Sequence, residues 1–196
     1  VTTEGKTFDV IGLGGAALDL LGVVRHYPLP GEKTELVRFE EQGGGQAGTA
    51  MVAVARLGGR AAIMGTNGDD DAGGKIRRGF QKEGVDVSRL QTDPGSRSHI
   101  AFCFIMEDSG DRAIFFDRGN KRRLEPPDLE RAFVTDCRCL LFDTHHWQAA
   151  VTAATWAREE GIPVVTDLER PTPENANLLR LGTHHIMPEH YLLEYT

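Results

Sequence analysis

Cysteine is scarce in this sequence and a surplus of positive charge is missing, and each shortage removes a class of protein. Cys103, Cys137 and Cys139 are an odd number with neither disulfide nor zinc spacing, so no disulfide framework is expected and a reducing, cytoplasmic setting fits. Asp and Glu outnumber Lys and Arg by 29 to 22, and no basic face easily outweighs the resulting net charge of -7. A nucleic-acid partner is therefore not expected. Lys121-Arg122-Arg123, the only basic triplet, reads as a solvated loop. No apolar run is long enough to span a bilayer, and the start at Val1 carries no signal-peptide pattern, so no membrane partner is expected. Internal repeats and low-complexity tracts are absent. So are a Gly-x-Ser-x-Gly elbow and a Gly-x-x-x-x-Gly-Lys-Ser/Thr loop, which leaves hydrolase and P-loop chemistry without carriers.

What the sequence does have is glycine in one decisive place. Residues 43–58 read Gly43-Gly44-Gly45-Gln46-Ala47-Gly48-Thr49-Ala50-Met51-Val52-Ala53-Val54-Ala55-Arg56-Leu57-Gly58. The leading glycines tolerate positive φ and let a ligand approach bare backbone. Ala47, Ala50, Met51 and Val54 fall at helical spacing, and Gly58-Gly59 supplies the stop. A helix that opens behind such a turn aims unpaired N–H groups and a positive dipole end at whatever lies there. A tight turn ahead of a packed helix is the other meaning of the same run.

Around this stretch, strands alternate with helices. Residues 8–15 predict a buried strand running into a Gly turn, with a formal Gly-x-Gly-x-x-Ala match to a dinucleotide fingerprint. The context contradicts that match, because strand and loop follow where a helix and an acid-ended second strand are required. Residues 34–40 alternate as a half-exposed strand, and residues 60–66 predict a buried one. Asp69, Asp70 and Asp71 open a helix that ends near Gly84, and acids there are capping and dipole chemistry rather than metal ligands. Residues 98–106 and 113–117 flank a turn at 108–111 and predict a hairpin. Pro126-Pro127 opens a short helix, residues 139–143 and 162–167 predict strands ending in Asp143 and Asp167, and a helix over 149–160 joins them. A last strand spans 183–187. His145-His146 and His184-His185, read as strand neighbours pointing to opposite faces, do not chelate a metal unaided. The whole predicts a doubly wound α/β protein with a mostly parallel sheet, whose ligand lies at strand ends near Gly14, Asp143 and Asp167.

The order of these features resembles the ribokinase-like carbohydrate kinases of the phosphofructokinase B type. The resemblance rests on Gly12-Leu13-Gly14-Gly15-Ala16-Ala17-Leu18-Asp19 with Pro30-Gly31-Glu32-Lys33, on Gly44-Gly45 through Ala55-Arg56-Leu57-Gly58, and on Gly68-Asp69-Asp70-Asp71-Ala72-Gly73 with Glu83-Gly84-Val85-Asp86. Gly110-Asp111-Arg112 and Gly161-Ile162-Pro163-Val164-Val165-Thr166-Asp167 support it. It implies a sugar bound between the doubly wound sheet and a small β-sheet lid, with lid strands drawn from about 20–42 and 98–117. By resemblance Asp19 binds sugar hydroxyls, Gly44 and Gly45 offer backbone with Gln46 beside them, and Thr49 stands where the family carries Asn. Asp143 and His145 match a further sugar-facing position. The implied reaction is phosphorylation of a sugar-like hydroxyl by ATP with Mg²⁺.

The Asn-x-x-Glu segment of the family falls where this chain has Glu189 and Leu192, so no metal ligand is assigned. The Asp-Thr-x-Gly-Ala-Gly-Asp motif that carries the family's base and anion hole occurs nowhere in the 196 residues, so no catalytic residue is assigned. The resemblance therefore implies an N-terminal part of one kinase domain, with the nucleotide-binding part beyond residue 196 and with little activity alone. A truncated, non-catalytic sugar-binding or oligomerising relative is the alternative. Leu36, Phe39, Ile100, Phe102 and Phe104 give the lid more apolar side chains than one domain can cover, so a homodimer through the lid is expected, or else packing over the pocket.

Overall fold

Strands with no polar face have to be covered on both sides. Phe8–Leu13 (β1), Ala61–Gly68 (β4), Cys137–Phe142 (β8) and Val164–Asp167 (β9) are largely of this kind, and β4 is buried along its whole length. The computed structural model describes residues 5–195, with the backbone alone for Glu174, Asn175, Leu192, Glu194 and Tyr195. In it these strands join Asp86–Asp93 (β5) and His184–Ile186 (β10) in a six-stranded sheet ordered β10-β9-β8-β1-β4-β5. Every pairing in it is parallel.

Helices cover both faces. Gln46–Arg56 (α1) and Asp71–Lys82 (α2) bury Ala47, Met51, Ile76 and Phe80 against one. Against the other pack Arg131–Val134 (α3), Trp147–Glu159 (α4), Pro173–Leu181 (α5) and Glu189–Tyr195 (α6). In α4, Ala149, Ala150, Ala153, Ala154 and Ala157 recur on one stripe and are wholly buried, because small side chains let the helix lie close to the strands. Asp70 caps α2 by accepting from the Gly73 N–H at 2.9 Å, so the acidic run serves the helix start as expected. The chain proceeds from β1 outward to β4 and β5, then returns to β8 on the other side of β1. The strand order thus reverses beside β1, and in open sheets ligands gather outside the carboxyl ends at that point.

Ala17–Val24 (β2), Arg38–Gly44 (β3), Ile100–Met106 (β6) and Arg112–Asp117 (β7) form a separate four-stranded sheet, ordered β3-β2-β6-β7. The β6–β7 hairpin is present, while β2 and β6 run parallel. Several boundaries differ from the expectation. Residues 34–37 lie outside β3, which instead runs through Gly43 and Gly44, paired with Leu18 and Ala17. The glycine run is thus a strand end before it is a turn. Strand β5 and helix α5 have no counterpart among the expected elements. β5 is an edge strand in which Leu90 alone is buried, so its polar pattern hides it. His145 and His146 do not sit on a strand, since they follow β8 and His146 opens α4.

Candidate active site

The chain leaves β1 through Gly14 and Gly15, and the absence of side chains there is a geometric requirement. A Cβ on Gly14 would lie 2.4 Å from Asp143 Oδ2, and one on Gly15 would lie 2.7 Å from the His145 ring. Asp143, just past β8, has no exposed surface. Its Oδ2 accepts from the backbone N–H of Gly15 at 2.7 Å and of Ala47 at 3.2 Å. Its Oδ1 accepts from the N–H of His145 at 2.8 Å and lies 3.0 Å from His145 Nδ1. Helix α1 has neither a capping side chain at Gly45 nor an acid in its first turn, and Asp143 supplies that negative charge from 96 residues away. Burial works to raise the Asp143 pKa, but the His145 ring and the N–H donors outweigh it and hold the carboxyl below the usual range. One buried carboxylate therefore ties together three strand and helix ends.

Asp19 is its opposite. It sits half-buried on β2 with its carboxylate against Gly44, where a Cβ would come within 2.3 Å of Oδ1. It makes no hydrogen bond among the described residues, and burial alone pushes its pKa up. Gly45, with φ of 88°, is the only residue type that fits between Gly15 and the helix start, since a Cβ would lie 2.4 Å from the Gly15 carbonyl oxygen. Gln46 donates from Nε2 to Asp167 Oδ1 at 2.8 Å. Burial and the neighbouring Asp143 charge raise the Asp167 pKa, against the opposing Gln46 bond. Thr49 lies one turn into α1, exposed, with its N–H bonded to the Gly45 carbonyl at 2.8 Å. Asp19, Gly44, Gly45, Gln46, Asp143 and His145 thus fall in one linked neighbourhood, and Thr49 stands at its rim.

Residues that the sequence did not flag complete the surroundings. The His99 ring lies 5.9 Å from His145 and 5.8 Å from Phe116. Phe116 pairs with Ala101, and Ala101 with Asp19, so Phe116 and Asp19 share one face of the small sheet. A cavity of about 650 Å³ opens beside them, lined by Gly15, Thr66, Phe116, Arg118, Lys121 and His145 among others. Lys121, expected in a solvated loop, is half-buried and lines this cavity. Burial and the His145 charge lower the His99 pKa to about 4, so the ring is neutral at physiological pH. Among the described residues no group of three or more His, Cys, Asp or Glu side chains is placed to hold a metal ion. His146 Nδ1 instead accepts from the Leu124 N–H at 3.0 Å, and His185 Nδ1 lies 2.8 Å from Thr166 Oγ1. Glu189 opens α6, while the side chain of Leu192 lies outside the described residues.

A crevice at the reversal point of a doubly wound sheet, backed by glycines and bordered by Phe116 of the second sheet, is a place where α/β proteins bind small ligands. The chain matches the pfkB family of carbohydrate kinases over residues 9–191 and belongs to that family. It is 30% identical over 175 residues to a 5-dehydro-2-deoxygluconokinase of Geobacillus thermodenitrificans, covering 85% of this chain and 50% of that protein. It is 31% identical over 127 residues to a protein of Arabidopsis thaliana named "Probable fructokinase-3", covering 65% of this chain and 36% of that one. A solved protein from Agrobacterium tumefaciens superposes with a TM-score of 0.86 at 27% identity, over 95% of this chain and 61% of that one. The Thermotoga maritima ribokinase shares the fold, with a TM-score of 0.76 at 18% identity over 96% of this chain and 62% of that one. The chain spans about half the length of the curated relatives that it matches over most of its own.

Proposed function

We propose that this chain carries the acceptor half of a sugar kinase site, in which a sugar-like hydroxyl is phosphorylated by ATP. The observation that carries the reading is Asp19, a half-buried carboxylate with no partner among the described residues, beside the bare backbone of Gly44 and Gly45. A buried charge left without a partner costs stability, so a ligand that donates hydroxyls to it is the natural complement. Relatives named as kinases of 5-dehydro-2-deoxygluconate and of fructose support a sugar as that ligand. Gly44 and Gly45 would let the ring lie on main chain, with Gln46 and Thr49 adding polar contacts. His145 would face the sugar, oriented by Asp143, which is too deeply buried to touch a ligand and acts through the groups it holds.

In the reaction the acceptor oxygen bonds to the γ-phosphorus as the bond to the ADP oxygen breaks, and the hydroxyl proton passes to a base. ATP supplies the phosphoryl group, and family membership supports Mg²⁺ as its companion. The described residues offer no acidic set to hold that ion. The base motif of the family is not among the 196 residues, so residues 1–196 alone should bind sugar weakly and leave ATP intact. No helix among the described residues is long and apolar enough to cross a membrane, and the three cysteines are free thiols, which supports a cytoplasmic setting. A homodimer through the four-stranded sheet belongs to the same reading. The test is ADP release over a panel of sugars, comparing residues 1–196 with the protein made from its complete gene. Sugar-dependent release is expected from the latter only. Turnover by residues 1–196 would locate a base within them, and none from either would remove the kinase reading.

A further inference from the structure

Lysine occurs at five positions, and at four of them its surroundings are ordinary. Lys33 and Lys82 are exposed. Lys6 donates to the Thr135 carbonyl at 2.8 Å, and Lys75 pairs with Glu41 at 2.8 Å and Asp71 at 3.4 Å. Lys121 is the exception. It is half-buried on the wall of the cavity of about 650 Å³, in the loop that joins β7 to the 3-10 turn at Pro126–Asp128. Its ammonium donates to the Arg118 carbonyl at 3.1 Å and makes no ion pair among the described residues.

The acids close enough to act on Lys121 are already engaged. Asp70 accepts from the Gly73 N–H and from both the N–H and the hydroxyl of Ser98. Asp117 pairs with Arg97 at 2.8 Å and accepts from the Gly119 N–H. Arg118 lies over the Phe116 ring at 5.1 Å, and neither it nor the Arg123 guanidinium makes an ion pair among the described residues. Arg118, Lys121 and Arg123 all line the one cavity, and Glu169 is the only acid on its wall. Burial, followed by the Arg118 charge, lowers the Lys121 pKa, whereas the Glu41 bond raises that of Lys75. More of Lys121 is therefore free amine at neutral pH, and a free amine is a nucleophile. An anion formed on that amine would meet guanidiniums that lack a partner.

We propose that Lys121 is a carbamylation site, which takes carbon dioxide and holds the resulting carboxylate against Arg118. The Nζ lone pair attacks the carbon of CO₂, and a C–N bond forms as one C–O π pair moves onto oxygen. One N–H proton passes to water, and no oxidant or leaving group is needed. Carbon dioxide suits a half-buried amine because it is small and uncharged, so its entry carries no ionic desolvation cost. The two carbamate oxygens match the paired donors of one guanidinium. A cation on the wall shared with Gly15 and His145 would become an anion, so the field in the cavity would follow dissolved CO₂. This goes beyond the sugar kinase reading and does not depend on it.

The test uses the protein made from its complete gene, in carbon-13-labelled bicarbonate at mildly alkaline pH. Carbon-13 NMR should show a protein-bound carbamate. Trapping with triethyloxonium and peptide mass spectrometry should place it on Lys121, at least about tenfold above any other lysine. Lys121→Gln should abolish the signal, and Arg118→Gln should lower occupancy at Lys121 about tenfold. Thermal unfolding shows whether each variant keeps the fold, and the wild-type peptide map depends on neither. No carbamate, label confined to the α-amino group, or label spread evenly over the lysines overturns the proposal. A folded Arg118→Gln variant with full occupancy also overturns it, because the carboxylate would then not be held by Arg118.

Discussion

The six-stranded sheet and the four-stranded sheet use their side chains in different ways. In the first, β4 is buried throughout, Leu140 and Phe142 have no exposed surface, and even the aspartate at the β8 end is saturated with N–H donors. In the second, Phe39 and Phe115 stand 54% and 63% exposed, and Asp19 has no partner among the described residues. Burial and hydrogen bonding are what stabilise a fold, so the large sheet carries the stability. Groups left unsatisfied on the small sheet are free to meet something else, which is how a site and an interface are recognised.

The largest loss of stability is expected from Asp143→Ala. It strands the Gly15 and Ala47 N–H groups and releases His145, at a cost on the order of 3 kcal/mol or more, or roughly 10 °C in melting temperature. The pH dependence has a definite sign. The folded pKa of Asp143 lies below its unfolded value, so its contribution is present above the unfolded value and fades as pH falls through the folded one. Urea unfolding from neutral to acid pH should show a gap between wild type and variant that closes in acid. A constant gap, or none at neutral pH, would mean that Asp143 does not hold the strand ends together.

Asp19→Asn should do the reverse. Burial raises the folded pKa above the unfolded one, so the aspartate favours the folded state below its unfolded value and loses that advantage as pH rises through the folded one. At neutral pH the charge is a burden, and the amide should leave melting unchanged or slightly higher. Binding should suffer instead, because a lost charge-assisted hydrogen bond costs about 1.5–3 kcal/mol, or roughly ten- to a hundredfold in Kd. Calorimetric titration with the acceptor sugar reads it. Unchanged affinity with unchanged melting would take Asp19 out of the site.

The same division governs what the sequence discloses. Buried strands such as β4 and β8 are plain in it, because covering both faces leaves a continuous apolar run. The glycine helix and the capping Asp70 are plain for local reasons. β5 is hidden by its polar edge pattern, and α5 by its short length and its start at Pro173. Asp19, Gly44, Gly45 and Gln46 were legible through resemblance, while the partnership of Asp143 with Gly15 and Ala47 spans 128 and 96 residues and has no local signature. The partial burial of Lys121 is hidden for the same reason. A basic triplet is usually solvated, and only the tertiary position of the loop from 118 to 123 buries part of it.

The outer face of the four-stranded sheet shows the other use of unsatisfied groups. Leu20 pairs with Phe102, Phe102 with Phe115, and Gly22 with both Phe39 and Phe104. These side chains therefore point away from the face that bears Asp19 and Phe116. They cannot be packing over the pocket, which was the other expectation for Phe39, Phe102 and Phe104. Leu18, Leu20 and Ile100 on the same face are covered by the α2 side of the core, but Phe39, Phe102 and Phe115 are not. A second copy of the chain offers the same apolar row and would cover it. Phe102→Ser with Phe115→Ser removes exposed groups, so the monomer should change by no more than about 0.5 kcal/mol per site. Light scattering over a micromolar dilution series should give a dimer for the wild type and a monomer for the double variant. A wild type that is monomeric at every concentration would leave the row without a partner copy and end the dimer proposal.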